Sequence, residues 1–136
     1  MTDVQDIDLN SSEFYINREL SHLQFNIRVL EQALDEAHPL LDRLFFLCIF
    51  SKNLDEFFEV RVAGLIQQIE IGDPYIESDQ ITAQECLKLI NQRAHELVEE
   101  QYRVLNDVLL PELDQESIQV LPRAQWTDEH NAWLKD

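Results

Sequence analysis

The run Ser51-Lys52-Asn53-Leu54-Asp55-Glu56 holds the most pointed chemistry in this sequence. Asn53 offers one side-chain acceptor and two donors, which complement an adenine edge presenting its N6 amine as donor and a ring nitrogen as acceptor. Asparagine is also among the best helix N-caps, and a cap uses the same oxygen that adenine would need. Asn53-x-x-Glu56 has the spacing of a capping box with Asn in the Ser/Thr place. On chemistry alone both roles stand open. Asp55, Glu56 and Glu59 have the donors to bind a divalent metal or to act as acid and base. Placed in the first turn of a helix, Asp55 and Glu56 would instead complement its dipole.

Elsewhere the reactive groups are sparse. Gly64 and Gly72 are the only glycines and neither begins a phosphate-cradling loop, so P-loop and Rossmann nucleotide sites are excluded. The histidines, His22, His38, His95 and His130, are scattered, and none accompanies a Ser or Cys nucleophile in a recognisable motif. No catalytic residue is expected within this chain. Cys48 and Cys86 sit among apolar residues at helical spacing and read as small core side chains in a reducing compartment. Without further Cys or His at ligand spacing, no metal site is expected.

These residues must be positioned by helices. The 136 residues, 45% of them apolar, suffice for one core, and two glycines and four prolines are too few turn signals for a sandwich or barrel. Ser21-x-x-Gln24 resembles a capping box, and Leu23, Ile27, Leu30 and Leu34 follow on one face, predicting a helix over about 22–37. His38-Pro39 stops it. Pro39 then opens a second helix with Leu41, Leu44, Phe45, Cys48 and Ile49 as its apolar face. Polar Ser51, Lys52 and Asn53 interrupt the apolar run before Leu54, Phe57, Phe58, Val62, Leu65 and Ile69 resume it; a cap, a kink or an unbroken helix all fit. Gly72-Asp73-Pro74 opens a loop over 72–81. Thr82-x-x-Glu85 is another capping box, and the long helix after it runs to about 109, with Leu87, Ile90, Ala94, Leu97, Leu105 and Val108 inward and Pro111 beyond its end. Residues 118–121 alternate weakly like a strand, and Thr127-Asp128-Glu129 begins a further helix. An amphipathic helix that stops at Asp136 after two turns predicts a longer polypeptide.

Charge narrows the partners. A net −17, from 27 acidic and 10 basic side chains, repels nucleic acid, polyphosphate and anionic lipid at long range. No nucleic-acid partner is expected, and any phosphate-handling surface must be local or supplied from outside these residues. The N-terminus has no apolar leader and the chain has no 18-residue apolar run, so a cytoplasmic protein without a transmembrane segment is expected.

The segments 15–33, 39–47 and 49–65 together resemble the N-terminal domain of the bacterial polyphosphate kinase that works through a phosphohistidine. The resemblance is dense over about residues 14–70 and keeps its order and spacing, through Glu19-Leu20-Ser21-His22-Leu23-Gln24-Phe25-Asn26 and Ser51-Lys52-Asn53-Leu54-Asp55-Glu56-Phe57-Phe58. It implies an all-α antiparallel bundle of about four helices with a long C-terminal helix. It further implies the helical domain over 14–114 and the beginning of a second, α/β domain over 115–136, while the polar residues 1–13 read as a disordered tail. The activity implied is reversible transfer of the ATP terminal phosphate to polyphosphate with Mg²⁺. The phosphohistidine and the magnesium site would belong to later domains. The family's adenine-contacting asparagine maps onto Asn53. Dimerisation is typical of the family, so a homo-oligomer is implied. One departure is His22, where the family usually has Trp. The competing reading is a non-catalytic acidic helical module for interaction or oligomerisation.

Overall fold

The computed structural model describes residues 17–72 and 82–135. The expected tail over 1–13 and most of the loop over 72–81 lie outside them. The described residues form an all-α bundle, as expected, and they contain no strand.

Helix α1 (Arg18–Leu34) starts one turn earlier than expected, because Asn17 rather than Ser21 is its cap: the Asn17 side chain accepts from the Leu20 N–H at 3.0 Å. Ser21 lies inside the helix and is exposed. Pro39 is the N-cap of α2 (Leu40–Glu56) rather than its first residue. The short connection makes α1 and α2 neighbouring antiparallel helices, and they form the most extensive pairing in the molecule.

Asn53 caps no helix. The chain continues helically through a π-helical stretch (Phe57–Val62) into α3 (Ala63–Ile71), and the Phe57 N–H donates to the Asn53 and Leu54 carbonyls. Asp55 and Glu56 therefore end α2 instead of opening a helix, which removes the dipole reading of these acids. Gly72 terminates α3 at φ 79°, a left-handed conformation that suits a residue without Cβ.

The expected capping box at Thr82 is present, with Thr82 Oγ1 accepting from the Glu85 N–H and Glu85 accepting from the Thr82 N–H. It opens α4 (Ala83–Arg103). The rod does not stop near 109: a second π-helical stretch (Val104–Leu109) leads into α5 (Leu110–Gln115), so Pro111 lies inside the rod. Proline has no N–H for the preceding turn and its ring crowds the carbonyl four residues back, and the π stretch falls where that crowding must be relieved. Residues 118–121 form no strand, and the described residues hold no sheet for them to join. Thr127 caps the short α6 (Asp128–Trp133), as expected.

The core joins Leu23 and Leu30 of α1, Leu47, Phe50 and Leu54 of α2, Leu65 of α3 and Cys86, Ile90 and Leu97 of α4. On α2 the buried stripe is Arg43, Leu47, Phe50 and Leu54. Leu41, Phe45 and Cys48, expected inside, face outward instead; a helix apolar on most of its circumference leaves its registration to its neighbours, and α1 selected the 43/47/50/54 face.

Candidate functional site

Beside Asn53 the α1–α2 contact opens into a cleft of about 260 Å³ lined by His22, Phe25, Asn53, Glu56, Phe57, Val60 and Arg61. Five of these come from the end of α2 and the π stretch, where the added residue per turn shifts Phe57, Val60 and Arg61 around the axis. Such π turns recur at functional sites. Unlike the stretch before Pro111, this one has no proline to account for it.

Three rings wall the cleft. His22 stacks on Phe57 with centroids 5.3 Å apart and planes 22° apart, and Phe57 meets Phe58 edge-on at 5.7 Å. Phe25, half exposed, has the Arg28 guanidinium 5.8 Å from its centroid. His22 thus occupies the expected Trp position as a ring against Phe57. Its Nδ1 is buried, and no described residue hydrogen-bonds to it.

Asn53 is half-buried. Its Nδ2 donates to Asn26 Oδ1 at 3.3 Å, and Asn26 Nδ2 in turn donates to the Phe50 carbonyl at 3.1 Å. Among the described residues nothing donates to Asn53 Oδ1. Sequence reasoning missed Asn26, although its position carried a signal: it falls three residues after Leu23 and four before Leu30, on the buried stripe of α1. At the rim, Arg61 lies 3.9 Å from Glu19 Oε1, a buried carboxylate that Arg18 also approaches at 3.4 Å.

The two largest of the other openings carry less chemistry. One of about 510 Å³ lies among Leu121, Trp126, His130 and Trp133, in a segment that buries none of its side chains. Another of about 640 Å³, between the α1–α2 turn and α5, is lined by Arg43, whose guanidinium is already taken by Glu112. Among the described residues no three His, Cys, Asp or Glu side chains converge as metal ligands would, and Asp55, Glu56 and Glu59 remain exposed on their helix.

A hydrogen-bonding amide and flat aromatic walls suit a planar heterocycle with donor and acceptor on one edge. The cleft falls below the roughly 300–1,000 Å³ of a complete small-molecule pocket, so it fits one end of a ligand. The family model described as "Polyphosphate kinase N-terminal domain" matches residues 15–121. The chain belongs to this family. Curated relatives agree: it is 54% identical over 127 residues to a polyphosphate kinase of Pseudomonas putida, covering 93% of this chain and 18% of that one. It is 50% identical over 131 residues to a polyphosphate kinase of Halalkalibacterium halodurans, covering 96% of this chain and 19% of the relative. The Pseudomonas syringae polyphosphate kinase is 52% identical over 128 residues, 94% of this chain and 17% of its own. As a polyphosphate kinase N-terminal domain, the chain thus spans less than a fifth of the curated relatives it matches. Among the described residues no helix is long and apolar enough to cross a membrane.

Proposed function

We propose that this domain receives the adenine end of ATP in the cleft beside Asn53, within an enzyme that reversibly transfers the terminal phosphate of ATP to polyphosphate. The whole protein works as a homo-oligomer in the cytoplasm, and later domains supply the phosphohistidine and the Mg²⁺ site. Residues 115–136 begin the domain that follows. The relatives are named polyphosphate kinases, and the acidic balance of this chain suits a region that meets the nucleoside rather than the phosphates.

The observation that carries the reading is the Asn53 amide, half-buried at the end of a helix that does not use it as a cap, lining an aromatic cleft with an oxygen to which no described residue donates. The isolated chain is not catalytic. A single base contact contributes about 1–3 kcal/mol, whereas even millimolar affinity requires about 4 kcal/mol. Asn53→Ala in a polypeptide of the relatives' length tests this. The KM for ATP should rise about tenfold, with a stability loss of only about 1 kcal/mol for the donor removed from Asn26. A loss of stability with ATP kinetics intact contradicts the reading.

A further inference from the structure

An asparagine amide alone does not tell adenine from guanine along the Watson–Crick edge. Adenine offers an amine donor and a ring-nitrogen acceptor, guanine a carbonyl acceptor and a ring N–H donor. Turning the amide over by 180° exchanges its oxygen and nitrogen and converts one complement into the other. Selectivity needs something that forbids the turn.

The structure contains such a device. The Phe50 carbonyl can only accept, so the end of the Asn26 amide facing it at 3.1 Å is the nitrogen. The Asn26 oxygen then faces Asn53, and the group that Asn53 presents to it at 3.3 Å is its own nitrogen. A backbone carbonyl of α2 thereby sets the polarity of two side chains in series. Asn26 is 2% exposed, so water does not compete for its bonds. Turning Asn53 over would bring two oxygens together, and turning Asn26 over would set its oxygen against the Phe50 carbonyl. The Asn53 oxygen and its second N–H are left for the cleft, in the order adenine requires.

We infer that Asn26 is a positioning residue that sets nucleotide selectivity: by locking the Asn53 amide through the Phe50 carbonyl, it makes the cleft an adenine site rather than a general purine site. This rests on Asn53 as the base contact. It also uses the fact that a nucleotide held by its phosphates presents its base one way round.

The test compares kcat/KM for ATP and GTP in a full-length enzyme carrying Asn26→Ala, Asn53→Ala or both, with unfolding followed in parallel. Asn26→Ala should lower the ATP:GTP ratio about tenfold. In the Asn53→Ala background the same change should leave the ratio unmoved while still lowering stability. Asn26→Ser, whose hydroxyl is too short to span both partners, serves if the alanine variant does not fold. Asn26→Asp keeps an acceptor toward Asn53 but sets its other oxygen against the Phe50 carbonyl, so it should lower stability while holding the ratio within about twofold of the parent, a rescue that lost packing alone would not produce. If Asn53→Ala lowers the ratio and Asn26→Ala and Asn26→Ser do not, the positioning role is wrong and the base contact survives. If Asn53→Ala leaves the ratio unchanged, the base contact is wrong and the positioning role falls with it.

Discussion

Two buried polar constellations hang from α2 and differ in completeness. At its N-terminal end Arg43, 3% exposed, donates Nε–H to the Ala33 carbonyl at 2.9 Å and grips both carboxylate oxygens of Glu112, at 2.5 and 3.4 Å. It ties the end of α1 to α5. At the C-terminal end the Phe50–Asn26–Asn53 relay stops at an oxygen with no protein donor, next to a buried His22 nitrogen equally unpartnered among the described residues. An unmade hydrogen bond at a buried group such as His22 Nδ1 costs about 1–3 kcal/mol, whereas the oxygen of half-buried Asn53 stays open to water or to a ligand. The closed constellation serves the fold; the open one is available to a ligand.

Arg43→Ala should have the largest effect on stability. It removes the charge partner of Glu112 and the donor to Ala33, and chemical denaturation should show a loss of about 3 kcal/mol. Base selectivity, measured on whatever folded enzyme remains, should not change. An equal disturbance of selectivity would erase the distinction between the two ends. Asn53→Ala should do the reverse, with the KM effect given above and a stability loss of about 1 kcal/mol, well below that of Arg43→Ala.

His22→Phe sharpens the contrast within the cleft itself. The phenyl ring keeps the stack on Phe57 and removes a buried nitrogen without a partner, so thermal or urea unfolding should show a gain of about 1 kcal/mol. A loss of that size would mean that the His22 nitrogen is satisfied and that the cleft is as closed as the Arg43 end.

The smallest effect concerns a polar cluster remote from both. The Thr82 backbone N–H and then its hydroxyl hold the exposed Glu85 carboxyl below the usual carboxylate range. Because this folded-state pKa is depressed, the stability it contributes is present above the unfolded pKa and lost as pH falls through the folded one. Thr82→Ala should therefore matter less near pH 3 than at neutrality, as judged by unfolding midpoints across that window.

Much of the bundle could be read from spacing: Leu23 and Leu30, then Ile90, Ala94 and Leu97, fall on the faces the structure buries, and the Thr82 box was unambiguous. The α1 cap was not, because Asn17 and Ser21 are both good caps one turn apart and only packing chose between them. Polar Ser51, Lys52 and Asn53 looked like an interruption because a polar residue inside a helix usually faces water. Asn53 instead faces Asn26, a partner 27 positions away that no local pattern announces. The π stretch at Phe57–Val62 leaves no mark on the sequence either, since no proline demands it. The proposal of adenine recognition drew on the side-chain chemistry and the resemblance together, and the Phe50–Asn26–Asn53 relay required the fold.

The most direct test changes one atom group on each side of the contact. Full-length enzyme and its Asn53→Ala variant are compared with ATP and with the analogue lacking the 6-amino group. Removing the amine should lower kcat/KM about tenfold in the parent and hardly at all in Asn53→Ala, because the group that amine meets is already gone. The same loss in both proteins would show that Asn53 does not touch the amine, and the open end of α2 would need another ligand.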